Sequence, residues 1–99
     1  MESTKIELIV KVTMKEDTQE RSLAATLALA AASREEEACE RFRVLRHEAA
    51  PLDLYLVEAW TTAAQRDEHK SAAHTQEFLG AYGELFDGAP VFLVCDELA

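Results

Sequence analysis

Two prolines, three glycines and two cysteines in 99 residues leave little material for linkers, tight turns or covalent staples. No Pro/Gly/Ser-rich stretch, low-complexity tract or internal repeat divides the chain. Its length suits one core, so a single domain over residues 1–99 is expected. Two cysteines do not make a disulfide framework. Cys39 and Cys95 have neither Cys-x-x-Cys spacing nor an adjacent His, and read as free, mostly buried thiols. Positive charge is also scarce, with ten Lys and Arg against nineteen Asp and Glu, for a formal net charge of -9. Such a field repels phosphate backbones and anionic lipid heads, which argues against nucleic acid and membrane surfaces as partners. Long apolar runs are missing too. Stretches such as Leu27 to Ala32 are far short of the roughly twenty residues of a membrane span. Met1 to Lys5 does not lead a basic region into an apolar one, so no signal peptide is read and a cytoplasmic location is expected.

What is present is globular: 48% hydrophobic and 29% charged residues, enough apolar material to offset the entropy of ordering the chain. Ile6, Leu8, Val10, Val12 and Met14 alternate with Lys5, Glu7, Lys11 and Thr13, a strand broken on its polar face only by Ile9. Asp17-Thr18-Gln19-Glu20 has the form of a helix start, and Leu23, Leu27, Ala30 and Ala31 continue at helical spacing to about Glu37. Cys39 to His47 reads as a second strand, Ala49 to Asp53 as a turn around Pro51, and Leu54 to Thr61 as a third strand completing a hairpin. Thr62-Ala63-Ala64-Gln65 is a capping box for a short helix to about Lys70, and Ser71 is placed to cap the next. That helix carries Phe78, Leu79, Tyr82, Leu85 and Phe86 as one stripe. Gly88 and Pro90 are expected to stop it, with a final strand over Val91 to Glu97.

The order β-α-β-β-α-β, with its second helical region broken in two, predicts an α+β, ferredoxin-like antiparallel sheet with helices on one face. Strand three, however, has Tyr55 and Val57 on one face and Leu54, Leu56 and Trp60 on the other, and strand four has Phe92 and Val94 against Val91, Leu93 and Cys95, so both faces are apolar. Two apolar faces need two covers and the helices supply one, so a homodimer through the sheet face is expected. The acidic groups are then expected mainly on the helical exterior, away from that contact.

The run Val57-Glu58-Ala59-Trp60-Thr61-Thr62, followed by His69, Ser71, His74 and Phe78, resembles the antibiotic biosynthesis monooxygenase domain family. Glu36-Glu37-Ala38-Cys39-Glu40-Arg41-Phe42 is similar to that family's Glu-x-Gly-Cys-x-x-Tyr entry into strand two, with Ala38 for the Gly and Phe42 for the Tyr. The resemblance extends from about Ile6 to Glu97. It implies a dimeric α+β barrel and, for some members, oxygenation of quinols or polyketide anthrones by O₂ without a cofactor. Tyr82 stands where haem-cleaving members would place an axial His, which points away from haem degradation. A non-catalytic ligand-binding or assembly domain of the same fold, and an isomerase or lactone-processing enzyme, are the alternatives.

Cofactor-free oxygenation needs a base, a polar group for the developing anion and apolar aromatic walls. His69 is the candidate base, since imidazole titrates near neutrality; the bland alternative is a partly exposed helix residue. Trp60, His74, Phe78 and Tyr82 are candidate substrate contacts, each with a structural alternative as core or surface. Tyr82, the polar tip of the aromatic stripe, would bind a quinone oxygen, and Gly80 and Gly83 beside it would permit close packing or a yielding segment. Glu58 shares a strand face with Trp60 and has Arg41, Arg43 and Arg46 as natural partners. His69 and His74 lack a third ligand at a convincing spacing, so no metal is expected. His47, beside the hairpin turn, is read as a surface residue.

Overall fold

A computed structural model describes residues 5–99, so the reading of Met1 to Thr4 lies outside the described part. The elements run β1 (Ile6–Met14), α1 (Gln19–Arg34, after one 3-10 turn over Glu16–Thr18), β2 (Cys39–His47), β3 (Ala50–Trp60), α2 (Ala63–His69), α3 (Ala73–Leu85) and β4 (Phe86–Cys95). The four strands form one sheet in the order β2-β3-β1-β4, every pair antiparallel. This is the α+β, ferredoxin-like arrangement that the element order predicts. The alternation in β1 sets its two faces. Leu8, Val10, Val12 and Met14 point to the helices and are buried with Phe42, Leu54, Leu56 and Trp60.

Several boundaries differ from expectation. β3 begins at Ala50, because the hairpin turns within Glu48 and Ala49 and pairs His47 with Ala50. β4 begins at Phe86, immediately after α3. Gly88 and Pro90 therefore lie inside the strand, where Lys11 pairs with Val91 but Thr13 with Asp87, so the extra residues bulge out of the ladder. Gly88 takes φ +68°, a conformation that other residues adopt at a cost. Only Thr62 caps as expected, its Oγ1 accepting from the Gln65 N–H at 3.1 Å. Neither α1 nor α3 has a side-chain cap.

α1 is rotated from the expected stripe. Its buried residues are Ser22, Thr26, Leu29, Ala30 and Ser33, while Leu27 is half exposed. Small hydroxyls can face a core when their hydrogen bonds are met locally. The Thr26 hydroxyl donates to the Ser22 carbonyl at 2.8 Å, and the Ser22 hydroxyl donates at 2.7 Å to the carbonyl of Leu85, the last residue of α3. The Lys15 N–H donates to the same carbonyl at 3.1 Å, so the C-terminus of α3 is tied to the start of α1 rather than closed by a glycine.

The sheet's other face carries Ile9, Tyr55, Val57, Val91 and Leu93, as expected, but also two acids. Asp53 pairs with Lys11 at 3.6 Å and accepts from the Thr13 hydroxyl at 2.7 Å. Glu7 pairs with Arg41 at 3.1 Å. Acidic groups are thus not confined to the helical exterior; on this face they are neutralised across strands, with Arg43 in addition. Cys39 and Cys95 are free and half-buried.

A side chain built at Gly80 or Gly83 would meet nothing within 4 Å, which rules out close packing as the reason for either glycine. Both lie in a regular helix with negative φ. Gly83→Ala is therefore expected to stabilise the protein by about 0.5–1 kcal/mol through helix propensity alone, read as a higher urea midpoint at unchanged slope.

Candidate functional site

The helices do not cover the sheet completely. Between α3 and the β1–β4 side lies a cavity of about 420 Å³, walled by Leu8, Val10, Leu56, Phe78 and Phe92 and open to solvent on one side. Polar side chains of several kinds reach it: Glu58 from β3, Arg66 and His69 from α2, Lys70 just after it, and Thr75, Gln76 and Tyr82 from α3. A few polar groups in an apolar concavity are the usual composition of a small-molecule site.

His69, the last residue of α2, is 5% exposed and packs against Trp60, with ring centres 4.5 Å apart and planes tilted by 38°. Its Nδ1 lies 2.6 Å from Glu36 Oε2, and His74 Nε2 lies 2.7 Å from the same oxygen. A carboxylate accepts from Nδ1–H, so this contact fixes the tautomer that leaves the other ring nitrogen, Nε2, with its lone pair. Thr75 Oγ1 is the further polar neighbour of that nitrogen, at 3.4 Å. Burial pulls the His69 pKa below its ordinary 6.5, against the opposing hydrogen bond and charge of Glu36. The imidazole is thus neutral at pH 7 and able to take a proton.

Of the residues singled out from sequence, His69, Phe78 and Tyr82 line the cavity; Trp60 and His74 do not. Trp60 is fully buried beneath His69, and His74 stands a quarter exposed beyond Glu36. Tyr82 reaches the cavity, but its hydroxyl donates to the Gly88 carbonyl at 3.0 Å and its ring stacks on Phe86, so it is a wall with its polar tip engaged. Burial raises the Tyr82 pKa and keeps the phenol a donor. His47 lies at the hairpin end against Tyr55, outside the site.

Two participants escaped the sequence reading. Glu36 lies more than thirty positions from either histidine in the chain, and only its place in the resembling Glu-x-x-Cys run hinted at it. Arg66 is one helical turn from His69, a spacing that puts both on one face of α2. Glu36 also supplies the third donor that the spacing of the histidines lacked. One ring nitrogen each of His69 and His74 and a Glu36 oxygen lie within 4.8 Å of one another, a two-histidine, one-carboxylate set that could hold a divalent transition metal. In the present geometry the three side chains are joined by hydrogen bonds.

Glu58 does not pair with the strand-two arginines. The register sets Phe42 opposite Glu58, which sends Arg41 and Arg43 to the other face and leaves Arg46 on the same face but opposite Leu54, four residues along β3. Instead the Trp60 indole N–H donates to Glu58 Oε1 at 2.9 Å. Burial raises the Glu58 pKa above its usual 4.5, with the Trp60 hydrogen bond and the charge of Arg66 opposing. A carboxyl held more weakly acidic in the fold costs stability once the unfolded chain ionises, from about pH 4.5 upward. Glu58→Gln keeps an acceptor for Trp60 and removes the charge. It is expected to raise the melting temperature at pH 7 to 8, with the gain shrinking towards zero below pH 4.5. A melting curve series across that range checks it.

A sequence profile of the antibiotic biosynthesis monooxygenase family matches residues 6–81, more than half of the chain. No curated protein matches. Among solved structures, Rv0793 from Mycobacterium tuberculosis is 20% identical, with 97% of each chain covered and a TM-score of 0.90. PA3566 from Pseudomonas aeruginosa is 24% identical, covering 98% of this chain and 97% of that one, at a TM-score of 0.91. A candidate antibiotic biosynthesis monooxygenase from Nitrosomonas europaea is 22% identical, covering 99% and 94%, at a TM-score of 0.91. Likeness at these identities establishes a shared fold.

Proposed function

The chain belongs to the antibiotic biosynthesis monooxygenase family, and from that premise we propose that it is a cofactor-independent monooxygenase acting on a quinol-like or polyketide-like aromatic with O₂. The observation that carries this reading is the neutral, buried imidazole of His69, held by Glu36 on the wall of an apolar cavity. His69 Nε2 takes a proton from the phenol or activated CH₂ of the substrate. The resulting anion, held against the apolar wall, gives an electron to O₂, and the two radicals combine to a hydroperoxide. Loss of water then leaves C=O where CH₂ was, or a hydroxyquinone where the quinol was. One oxygen atom of O₂ ends on carbon and the other in water, and the substrate supplies all four electrons. Glu36 acts through His69, as a positioning residue that sets the tautomer and steadies the imidazolium after proton transfer.

The working unit in this reading is a homodimer through the open sheet face. Leu45, Val91 and Leu93 are each at least two-fifths exposed there. Across the middle of that face Lys11, Arg41 and Arg43 stand against Glu7 and Asp53, a near balance of charge in a chain of net charge -9. A second copy therefore meets apolar area without strong self-repulsion.

Oxygen-electrode assays with hydroquinones and anthrones test the activity. Uptake above the uncatalysed rate is expected, with His69→Ala losing about 100-fold or more, as for removal of a general base. The ascending limb of kcat/KM should lie below pH 6.5, and Glu36→Gln should shift that limb as well as slow the reaction. No enzyme-dependent uptake with any member of the panel would refute the proposal. For assembly, sedimentation equilibrium at micromolar concentration should give a dimer that Leu93→Glu converts to monomer. A wild-type monomer would overturn the dimer.

A further inference from the structure

Arg66 is half-buried in the cavity wall, and its guanidinium carbon lies 5.8 Å from the centre of the Phe92 ring. Its Nε is buried and has no hydrogen-bond partner among the described residues. It takes part in no ion pair there either, in a chain where acids outnumber Lys and Arg by nearly two to one. Glu58 feels its charge, yet the hydrogen-bonded oxygen of Glu58 is engaged by Trp60. A guanidinium N–H withdrawn from water without an acceptor is costly, and the planar fork of donors to which it belongs matches a carboxylate or an enolate.

We propose that Arg66 is the anion-binding group of this cavity, and that the ligand is a flat aromatic bearing an acidic oxygen, either a carboxylate or an enol or phenol bound as its anion. The ring lies between Phe78 and the aliphatic floor of Leu8, Val10 and Leu56, and its anionic oxygen meets the guanidinium. This deepens the reading of the cavity as a substrate site and rests on it. Under that reading Arg66 takes the position for which Tyr82, its hydroxyl spent on Gly88, is not free. Charge on the substrate oxygen is then stabilised beside the imidazole that removes the proton.

Isothermal titration calorimetry at pH 7.5 tests this with three probes of similar size: 2-naphthoate, 2-hydroxy-1,4-naphthoquinone, which is an enolate at that pH, and neutral 2-naphthalenemethanol. At least one anion is expected to bind about tenfold or more tightly than the neutral probe, as for a charge-assisted hydrogen bond. Arg66→Met should erase that margin while leaving the neutral probe's affinity within about twofold, and Arg66→Lys should retain part of it. Which anion shows the margin identifies the oxygen. A neutral probe binding as tightly as both anions, or an equal loss for all three in Arg66→Met at unchanged melting temperature, would overturn the proposal. Arg66-dependent anion binding without oxygen uptake would refute the monooxygenase and leave this assignment standing; uptake without any Arg66-dependent preference would do the reverse.

Discussion

A single carboxylate oxygen, Glu36 Oε2, accepts from both His69 and His74 and so ties the connection after α1 to the end of α2 and the start of α3. Those three points define one end of the helical layer, and they fix where the short α2 stops and α3 begins. The contact also sets the His69 ring over Trp60, selects its tautomer and leaves Nε2 as the acceptor. Charge-assisted bonds at 2.6 and 2.7 Å in a partly buried setting are strong enough to impose such geometry. The helical layer would be less fixed without them, because α1 meets the core through small residues and α2 has only 7 residues.

Around that anchor the molecule places polar groups where their surroundings divide their roles. Glu58 and His69 are both buried beside the same cavity, and burial pushes each towards its neutral form. One becomes a weaker acid satisfied by an indole N–H, the other a neutral base satisfied by a carboxylate. Arg66 is different, because its guanidinium is a cation that forms no ion pair among the described residues. An imidazole whose burial favours its neutral form and a positive charge thus stand on the wall of one largely apolar cavity.

The two faces of the sheet are handled by different means. Towards the helices, aliphatic side chains from β1, β2 and β3 form the core, except along β4, where Phe92 and Val94 stay exposed beside the cavity. On the other face, apolar residues are interleaved with cross-strand ion pairs. Glu7 and Asp53 there are each less than a fifth exposed at the side chain, which shows the neighbouring cations folded over them. Such a face is compatible with water and with a second copy alike.

The sequence alone determined the element order, the two faces of β1, the break between α2 and α3, and the cap at Thr62, because each rests on contacts between near neighbours or on side-chain alternation. It also singled out His69, through the resembling motif. What periodicity cannot encode is what lies opposite a residue. The rotation of α1, which buries Ser22 and Thr26 in place of Leu27, depends on a carbonyl 63 positions away at Leu85. The start of β4 at Phe86 depends on pairing with Met14, which outweighed the stop signals at Gly88 and Pro90. The release of Glu58 from Arg41 and Arg43 depends on strand register, and the meeting of Glu36 with two histidines on the docking of helices distant in sequence. Only tertiary structure brings these groups together, because local preference decides which residues share a face, while long-range packing decides which faces meet.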